Sequence, residues 1–239
     1  MIRLMLAMSA TLLLAACEPL DTQAPPDEQL APSQRERDYT QARSQFWRHV
    51  YPQDGVTLYC QQTFQTKARA GVNIEHVFPM SWATSALKCG KRKQCRASSV
   101  EFNVIESDLH NLFPSRSDVN QARSSFRFGE LRGEKREFGR QCDFEVNTRA
   151  RVAEPTPAVR GEVARAMFYM AHQYRDQGLV IFNKQARLLM EWHRADPPSD
   201  AERRRNDIIA KIQGNRNPFI DRPEYLDELY REGYFDGGR

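Results

Sequence analysis

Alternating apolar and polar residues predict several short strands in the first two thirds of the chain. The predicted strands are Val56–Cys60, Val72–Phe78, Phe102–Ile105, Phe128–Leu131 and Cys142–Val146. Each is short and rich in β-branched or aromatic residues, and polar or turn-forming stretches separate them. The pattern therefore predicts a modest amount of sheet.

Helical periodicity is stronger at both ends of the predicted sheet region. Apolar residues at positions 39, 42, 46 and 50 form one stripe of a helix in Gln34–Tyr51, which a Pro-Gln-Asp-Gly turn ends. A helix beginning at Ser115 or Ser117 carries Asn120. Further predicted helices are Met80–Leu87, Pro157–Asp176, Phe182–Ala195, Asp200–Gly214 and Glu224–Arg231, and Lys88–Ser99 is predicted to be a basic loop. Strands followed by helices indicate an α+β class.

The first 33 residues have the character of a processing signal and a tether. Residues 1–16 combine one basic residue with an apolar run, which is typical of a secretory signal peptide and too short to span a bilayer. Leu14-Ala15-Ala16-Cys17 resembles a bacterial lipobox, so we expect lipidation of Cys17; a plain signal peptide with a nearby cysteine is the alternative. Residues 17–33 contain four prolines and form the expected tether. Residues 34–239 are enough for a single domain.

The formal charge of +4 does not indicate a class of partner, but the distribution of charge along the chain is more informative. Residues 65–140 hold 14 basic and 8 acidic residues, whereas the last 25 hold 4 basic and 6 acidic. A polyanion-binding face would have such a local excess, although a solvated basic surface would give the same composition.

Cysteine usage favours disulfides. If Cys17 is lipidated, four cysteines remain in an exported and oxidising context. Cys89 and Cys95 enclose five residues and could pair locally, which would leave Cys60 to pair with Cys142. Four cysteines allow three pairings, and the sequence leaves them open. A metal site is disfavoured because the chain has no C-x-x-C pair.

The most informative stretch is V-N-I-E-H-V-F-P, residues 72–79, which places Glu75 and His76 side by side in an apolar run. A carboxylate and an imidazole are costly to bury without partners or a function. Adjacent strand residues point to opposite faces, so the two cannot share one core. A hydrolase could use the carboxylate to hold a metal and the imidazole to take a proton from water.

Several motifs in the same order resemble the bacterial endonuclease I family, which are secreted or periplasmic non-specific nucleases of the ββα-metal (His-Me finger) type. They are V-N-I-E-H-V-F-P-M-S-W, G-K-R-K-Q-C, E-S-D-L-H-N-L-F-P-S, R-S-D-V-N-Q-A-R, R-G-E-V-A-R-A-M-F-Y-M and G-N-R-N-P-F. The resemblance covers patches of residues 39–223 and implies a single-domain α+β fold, with a ββα-metal nuclease core and surrounding helices.

The resemblance also assigns roles. It implies that Glu75 and Asn120 bind the metal, that His76 is the general base and that Arg92 binds the phosphate. Mg²⁺ suits such oxygen ligands, with Ca²⁺ or Mn²⁺ as alternatives at the same site. A neutral imidazole can take a proton from water, and arginine can hold a phosphate through two parallel hydrogen bonds.

Residues near these positions are also candidates for a role in the site. The neighbours Lys91, Lys93 and Arg96 are alternatives to Arg92 for the phosphate. The family motif also contains Glu106, His110 and Asn111, which we expect to support the site from behind.

The sequence therefore predicts an exported, membrane-anchored lipoprotein of the periplasm or cell surface. It would cleave DNA, with RNA as a further substrate, through contacts to the phosphate backbone. The family resemblance implies products with 5′-phosphate ends. We expect a monomer. One alternative is a lipid-anchored nucleic-acid-binding or cell-envelope interaction protein on an inactive nuclease fold. Another is a zinc hydrolase of a different substrate, although H-E-x-x-H is absent.

Overall fold

A computed structural model describes residues 38–133 and 135–236. The expected signal peptide, Cys17 and the tether lie outside these residues. The helices are α1 Tyr39–Gln45, α2 Met80–Leu87, α3 Arg92–Ser98, α4 Val100–Glu106, α5 Ser117–Arg123, α6 Arg160–Gln173, α7 Asn183–Ala195, α8 Asp200–Gln213, α9 Pro218–Asp221 and α10 Pro223–Arg231. The strands are β1 Asp54–Val56, β2 Thr63–Gln65, β3 Val72–His76, β4 Leu112–Arg116, β5 Arg127–Phe128, β6 Glu145–Asn147 and β7 Val152–Glu154. This mixture confirms the α+β class.

Within the described residues the strands form three small sheets. The first pairs β1 with β2, and the second pairs β3 with β4 in antiparallel register, from Val72 opposite Arg116 to His76 opposite Leu112. The third has the order β5-β7-β6, with β5 parallel and β6 antiparallel to β7. Helix α5 follows β4 directly and packs against both β3 and β4. This strand pair and its helix position the candidate site.

Most of the predicted helices are present, and capping signals define the ends of some of them. Ser199 and Glu202 form a capping box at the start of α8, and Gly214 ends it with a left-handed φ of 86°. Asp38 caps α1, which continues as a π-helical turn, Phe46–Val50. The Met80–Leu87 helix has the predicted bounds. No helix among residues 38–133 and 135–236 is both long and apolar enough to cross a membrane.

Two strand predictions were wrong. Only Val56 of Val56–Cys60 lies in a strand, because the following residues form a turn in which the Gln61 amide donates to the Thr57 carbonyl. Phe102–Ile105 lies in helix α4, whose cap Ser99 accepts a hydrogen bond from the Phe102 amide at 3.1 Å. β-Branched residues favoured a strand here, but the cap and burial on the core override that preference.

One predicted loop and two predicted strands also differ from the structure. The basic loop Lys88–Ser99 contains helix α3. Strand β5 shares only Phe128 with the predicted strand Phe128–Leu131, and β6 shares only Glu145 and Val146 with the predicted strand Cys142–Val146. The unpredicted β7 joins them. These strands have two or three residues, too few for an alternation pattern to define.

The main hydrophobic core surrounds helix α6, whose Met167, Phe168, Tyr169 and Met170 are fully buried. Helix α7 packs along it. A smaller cluster joins α1 to α8 through buried side chains that include Phe46 and Ile209. The long helices therefore form a support on which the short strands and the β3–β4–α5 unit are held.

Both favoured disulfides are present. Cys60 and Cys142 are bonded at 2.06 Å and connect the turn before β2 to the segment before β6. Cys89 and Cys95 are bonded at 2.02 Å and connect the residue after α2 to helix α3. The second bond closes a short loop that contains Arg92.

Candidate active site

Four predicted site residues line one open cleft of about 740 Å³: Glu75, His76, Arg92 and Asn120. We name it the Glu75–His76 cleft. Strand β3 supplies the first two, the start of α3 supplies Arg92, and α5 supplies Asn120. Residues separated by up to 45 positions in the chain thus meet at one surface.

Glu75 is a buried carboxylate held by two donors. Its Oε1 accepts a hydrogen bond from the Tyr59 hydroxyl at 2.8 Å and lies 3.1 Å from Nη1 of Arg123. Burial raises the pKa of Glu75, and the Arg123 guanidinium and Tyr59 hydroxyl act in the opposite direction. A cation in the cleft would further stabilise this buried negative charge.

His76 is fixed in one orientation and kept neutral. Its Nε2 lies 2.9 Å from the Glu106 carbonyl oxygen. Because a carbonyl can only accept, Nε2 carries the proton and Nδ1 is the acceptor nitrogen. Burial, followed by the positive charge of Arg92, lowers the pKa of His76 to about 3. The imidazole is therefore neutral at neutral pH, and its Nδ1 carries the lone pair that can accept a hydrogen bond from water.

Tyr39 covers this imidazole, a contact that the sequence did not predict. The two ring centroids are 5.2 Å apart. The guanidinium carbons of Arg43, Arg92 and Arg96 lie within 6 Å of the Tyr39 ring centroid, at 5.8, 5.6 and 5.1 Å. Cations favour the negative face of an aromatic ring, so helix α1 helps to hold the arginines near the base.

Glu106 holds two arginines with its side chain and His76 with its backbone. Its fully buried carboxylate accepts from Nε of Arg92, and from Nε and Nη2 of Arg96 at 2.6 and 2.8 Å. Of the Arg92 nitrogens, only Nε has a hydrogen-bond partner among residues 38–133 and 135–236, so the Nη groups can bind a phosphate. Among the alternatives to Arg92, Lys91 also lines the cleft, whereas Lys93 and Arg96 do not.

Asn120 has its amide nitrogen engaged. Nδ2 donates to Oδ1 of Asn73 at 2.9 Å and to the Ile74 carbonyl at 3.1 Å. Both partners are residues of β3 that come just before Glu75 in the chain. The arrangement leaves Oδ1 of Asn120 as the oxygen that can bind a cation.

Arg123 and Tyr59 are functional candidates that the sequence interpretation missed. The fully buried Arg123 donates to the carbonyl of His76 at 3.0 Å and to that of Val77, besides its contact with Glu75. A signal for Arg123 was available, because it lies three residues after Asn120 on the same helix face. Tyr59 had no sequence signal of this kind, because it contacts Glu75 from a turn 16 residues earlier in the chain.

His110 and Asn111 lie behind the strands and do not line the cleft. Asn111 pairs with both backbone groups of Phe78, accepting at 2.6 Å and donating at 3.1 Å. The His110 ring lies 4.6 Å from the Tyr169 ring, and its Nε2 is 3.1 Å from the Asn215 carbonyl. Asn111 therefore holds the backbone beside the cleft, next to the lining residue Pro79, whereas His110 contacts helix α6 and the turn after α8.

The donors in the cleft fit a hard divalent cation. Glu75 offers a carboxylate and Asn120 an amide oxygen, the ligand types that Mg²⁺ takes while keeping several waters. Residues 38–133 and 135–236 contain no cluster of three or more His, Cys, Asp and Glu side chains suited to a metal ion. A site here would therefore combine these two side chains with water.

Comparison with known proteins identifies the family of the chain. The family model described as Endonuclease I matches residues 27–224. The chain is 40% identical to a periplasmic deoxyribonuclease of Aeromonas hydrophila over 162 residues, 66% of each protein. It is 33% identical to Endonuclease-1 of Buchnera aphidicola subsp. Acyrthosiphon pisum (strain APS) over 153 residues, 62% of this chain and 59% of that protein.

A third relative has a different named activity. The chain is 36% identical to an extracellular ribonuclease of Bacillus subtilis (strain 168) over 199 residues, 75% of this chain and 62% of that protein. The matched region thus spans about two thirds of the length of these relatives.

Proposed function

Because the chain belongs to the endonuclease I family, we propose that it is an endonuclease that hydrolyses DNA, and also RNA, with little sequence preference. The observation that carries the proposal is the convergence of Glu75, His76, Arg92 and Asn120 on one cleft. Relatives named deoxyribonuclease and ribonuclease support both substrates. Contacts to the phosphate backbone rather than to bases would explain the low sequence preference.

We propose that β3, β4 and α5 form a ββα-metal core. Its support is an antiparallel strand pair that carries Glu75 and His76, followed directly by a helix that carries Asn120. Glu75 and Asn120 would hold one Mg²⁺, with Ca²⁺ or Mn²⁺ as alternative ions. When bound, the ion stabilises negative charge that develops on the phosphate and on the leaving O3′.

The chain's own groups carry out the remaining chemistry. Nδ1 of His76 takes a proton from the attacking water while the water oxygen bonds to phosphorus. The P–O3′ bond breaks, O3′ takes a proton from solvent, and the product keeps a 5′-phosphate. Arg92 holds the phosphate through its Nη groups, and Glu106 fixes both Arg92 and the base. Arg123 and Tyr59 orient Glu75.

Export follows from the same family relationship, since relatives are named periplasmic or extracellular. We further propose that residues 1–16 are removed, that Cys17 is lipidated and that residues 17–33 tether a monomeric nuclease domain to a membrane. Cys17→Ser should move the protein from the membrane fraction to the soluble fraction without changing its specific activity. Equal fractionation of the two proteins would contradict the anchor.

Nicking of supercoiled plasmid tests the enzymatic proposal. The wild-type protein should nick with Mg²⁺ and stop with EDTA, and His76→Ala should lose roughly 10²–10⁴-fold in rate, as expected for removal of a general base. His49→Ala, at an exposed histidine, is the matched control and should keep full activity. Equal nicking by His76→Ala would refute the base assignment. Plasmid binding without nicking would favour an inactive binding protein.

A further inference from the structure

A second open groove lies beside the Glu75–His76 cleft and has no role in the chemistry described above. Its volume is about 700 Å³. Its walls come from β2, the segment 68–72 and the start of α5. The lining residues include Arg69, Val72, Arg116, Ser117 and Asp118. We name it the Arg69 groove.

Arg69 is held in place without a carboxylate. Its guanidinium carbon lies 4.5 Å from the centroid of the Trp47 ring, and its Nη1 donates to the Thr66 carbonyl at 2.6 Å. No ion pair to Arg69 occurs within residues 38–133 and 135–236. The stacked side chain therefore offers an uncompensated and pre-organised positive charge, which lowers the entropic cost of binding an anion.

The other charges that line the groove compensate each other. Nε of Arg116 donates to Oδ1 of Asp118 at 3.0 Å, and Nη1 of Arg116 donates to the Phe138 carbonyl at 2.9 Å. The Arg116 hydrogen bond lowers the pKa of Asp118, so this carboxylate is ionised and paired at neutral pH. Arg69 therefore supplies the net charge of the groove, which is positive.

The groove and the cleft follow the same two elements. On β3, Val72 lines the groove and Glu75 lines the cleft; on α5, Ser117 lines the groove and Asn120 lines the cleft. Three strand residues span about 10 Å at 3.3 Å per residue. One strand of a duplex carries a phosphate per about 3.4 Å of helix axis, and an extended single strand carries fewer, so this separation corresponds to at most about three nucleotides.

We propose that the Arg69 groove binds a backbone phosphate of the nucleic acid strand being cut, about two or three nucleotides from the scissile bond. The inference rests on the proposed nuclease function and adds a subsite to it. A strand long enough to reach both positions gains the Arg69 contact, whereas a shorter strand occupies the Glu75–His76 cleft alone. Substrate length therefore separates the contribution of Arg69 from that of the cleft.

Cleavage of oligonucleotides of two lengths tests the subsite. Single strands of 3 and 12 nucleotides are compared for wild type, Arg69→Ala and Lys67→Ala; Lys67 is an exposed residue of equal charge that does not line the groove. Arg69→Ala should raise KM for the 12-mer about tenfold, the scale of one lost charged contact, with kcat unchanged. For the 3-mer it should change kcat/KM less than twofold. Lys67→Ala should change neither value more than twofold.

Binding gives an independent measurement. In the His76→Ala protein with EDTA, the slope of log K against log salt for the 12-mer should fall by about 0.7 on adding Arg69→Ala, the value for one phosphate contact on a single strand. Arg69→Gln, which keeps most of the side-chain length, should reproduce both effects if Arg69→Ala unfolds.

An equal loss of kcat/KM for the 3-mer and the 12-mer in Arg69→Ala would overturn the subsite. Equal effects of Arg69→Ala and Lys67→Ala on the 12-mer would also overturn it. If the wild-type protein cuts neither strand, the nuclease proposal fails. The salt dependence of 12-mer binding then still tests the groove, because an equal slope with and without Arg69→Ala would refute phosphate binding by Arg69.

Discussion

Acid destabilisation through His76 follows directly from its burial. The pKa of His76 is lowered from 6.5 to about 3, chiefly by desolvation. Between these values the unfolded chain binds a proton at this residue and the folded protein does not. The free energy of unfolding therefore falls as the pH falls through this window, by about 1.4 kcal/mol per pH unit. From pH 7 to pH 4.5, His76 should remove about 2.5 kcal/mol of stability.

Urea unfolding of wild type and His76→Asn at the two pH values measures this contribution. Other groups titrate in both proteins and cancel in the comparison, so the wild type should lose about 2.5 kcal/mol more than His76→Asn. His49→Asn, a change at an exposed histidine, should behave as wild type. Parallel losses in wild type and His76→Asn, within about 0.5 kcal/mol, would show that His76 is not buried in its neutral form.

Two further substitutions separate the groups that hold the site. Glu106→Gln should lower kcat/KM for plasmid nicking by roughly 10–100-fold, because Arg92 loses its charged partner; an unchanged rate would remove the positioning role. Tyr59→Phe should raise the Mg²⁺ concentration for half-maximal nicking about tenfold, with the rate at saturating Mg²⁺ within a few-fold, because Glu75 loses a hydrogen bond that orients it. Equal Mg²⁺ dependence in both proteins would show that this hydrogen bond does not affect the ion.

The elements that the sequence predicted well carry their signals locally. Helix α8 has a capping box at one end and Gly214 at the other, and its apolar stripe lies between them. Strand β4 has no such signal. Its sequence, L-F-P-S-R, has no alternation of apolar and polar residues, and the central Pro114 argues against a strand. Its pairing with Val72–His76 joins segments about 40 residues apart, so only tertiary structure defines it.

The same limit applies to the candidate site. The Glu75–His76 pair is visible because two ionisable residues interrupt an apolar run. The side chains that hold it come from elsewhere: Tyr59 from a turn, Arg123 from α5 and Tyr39 from α1. Tyr39 fits the predicted helical stripe, so its contact with His76 cannot be separated from ordinary packing until the helix is placed against β3.

The central claim is that Glu75 and Asn120 share one divalent cation beside His76. Anomalous scattering from a crystal soaked in Mn²⁺ tests it most directly. Manganese prefers the same oxygen ligands as Mg²⁺, and its anomalous signal gives its position. We expect one peak in the Glu75–His76 cleft, within bonding distance of a Glu75 carboxylate oxygen and of Oδ1 of Asn120. A peak bound elsewhere, or Glu75 and Asn120 oxygens too far apart to share one ion, would contradict the account.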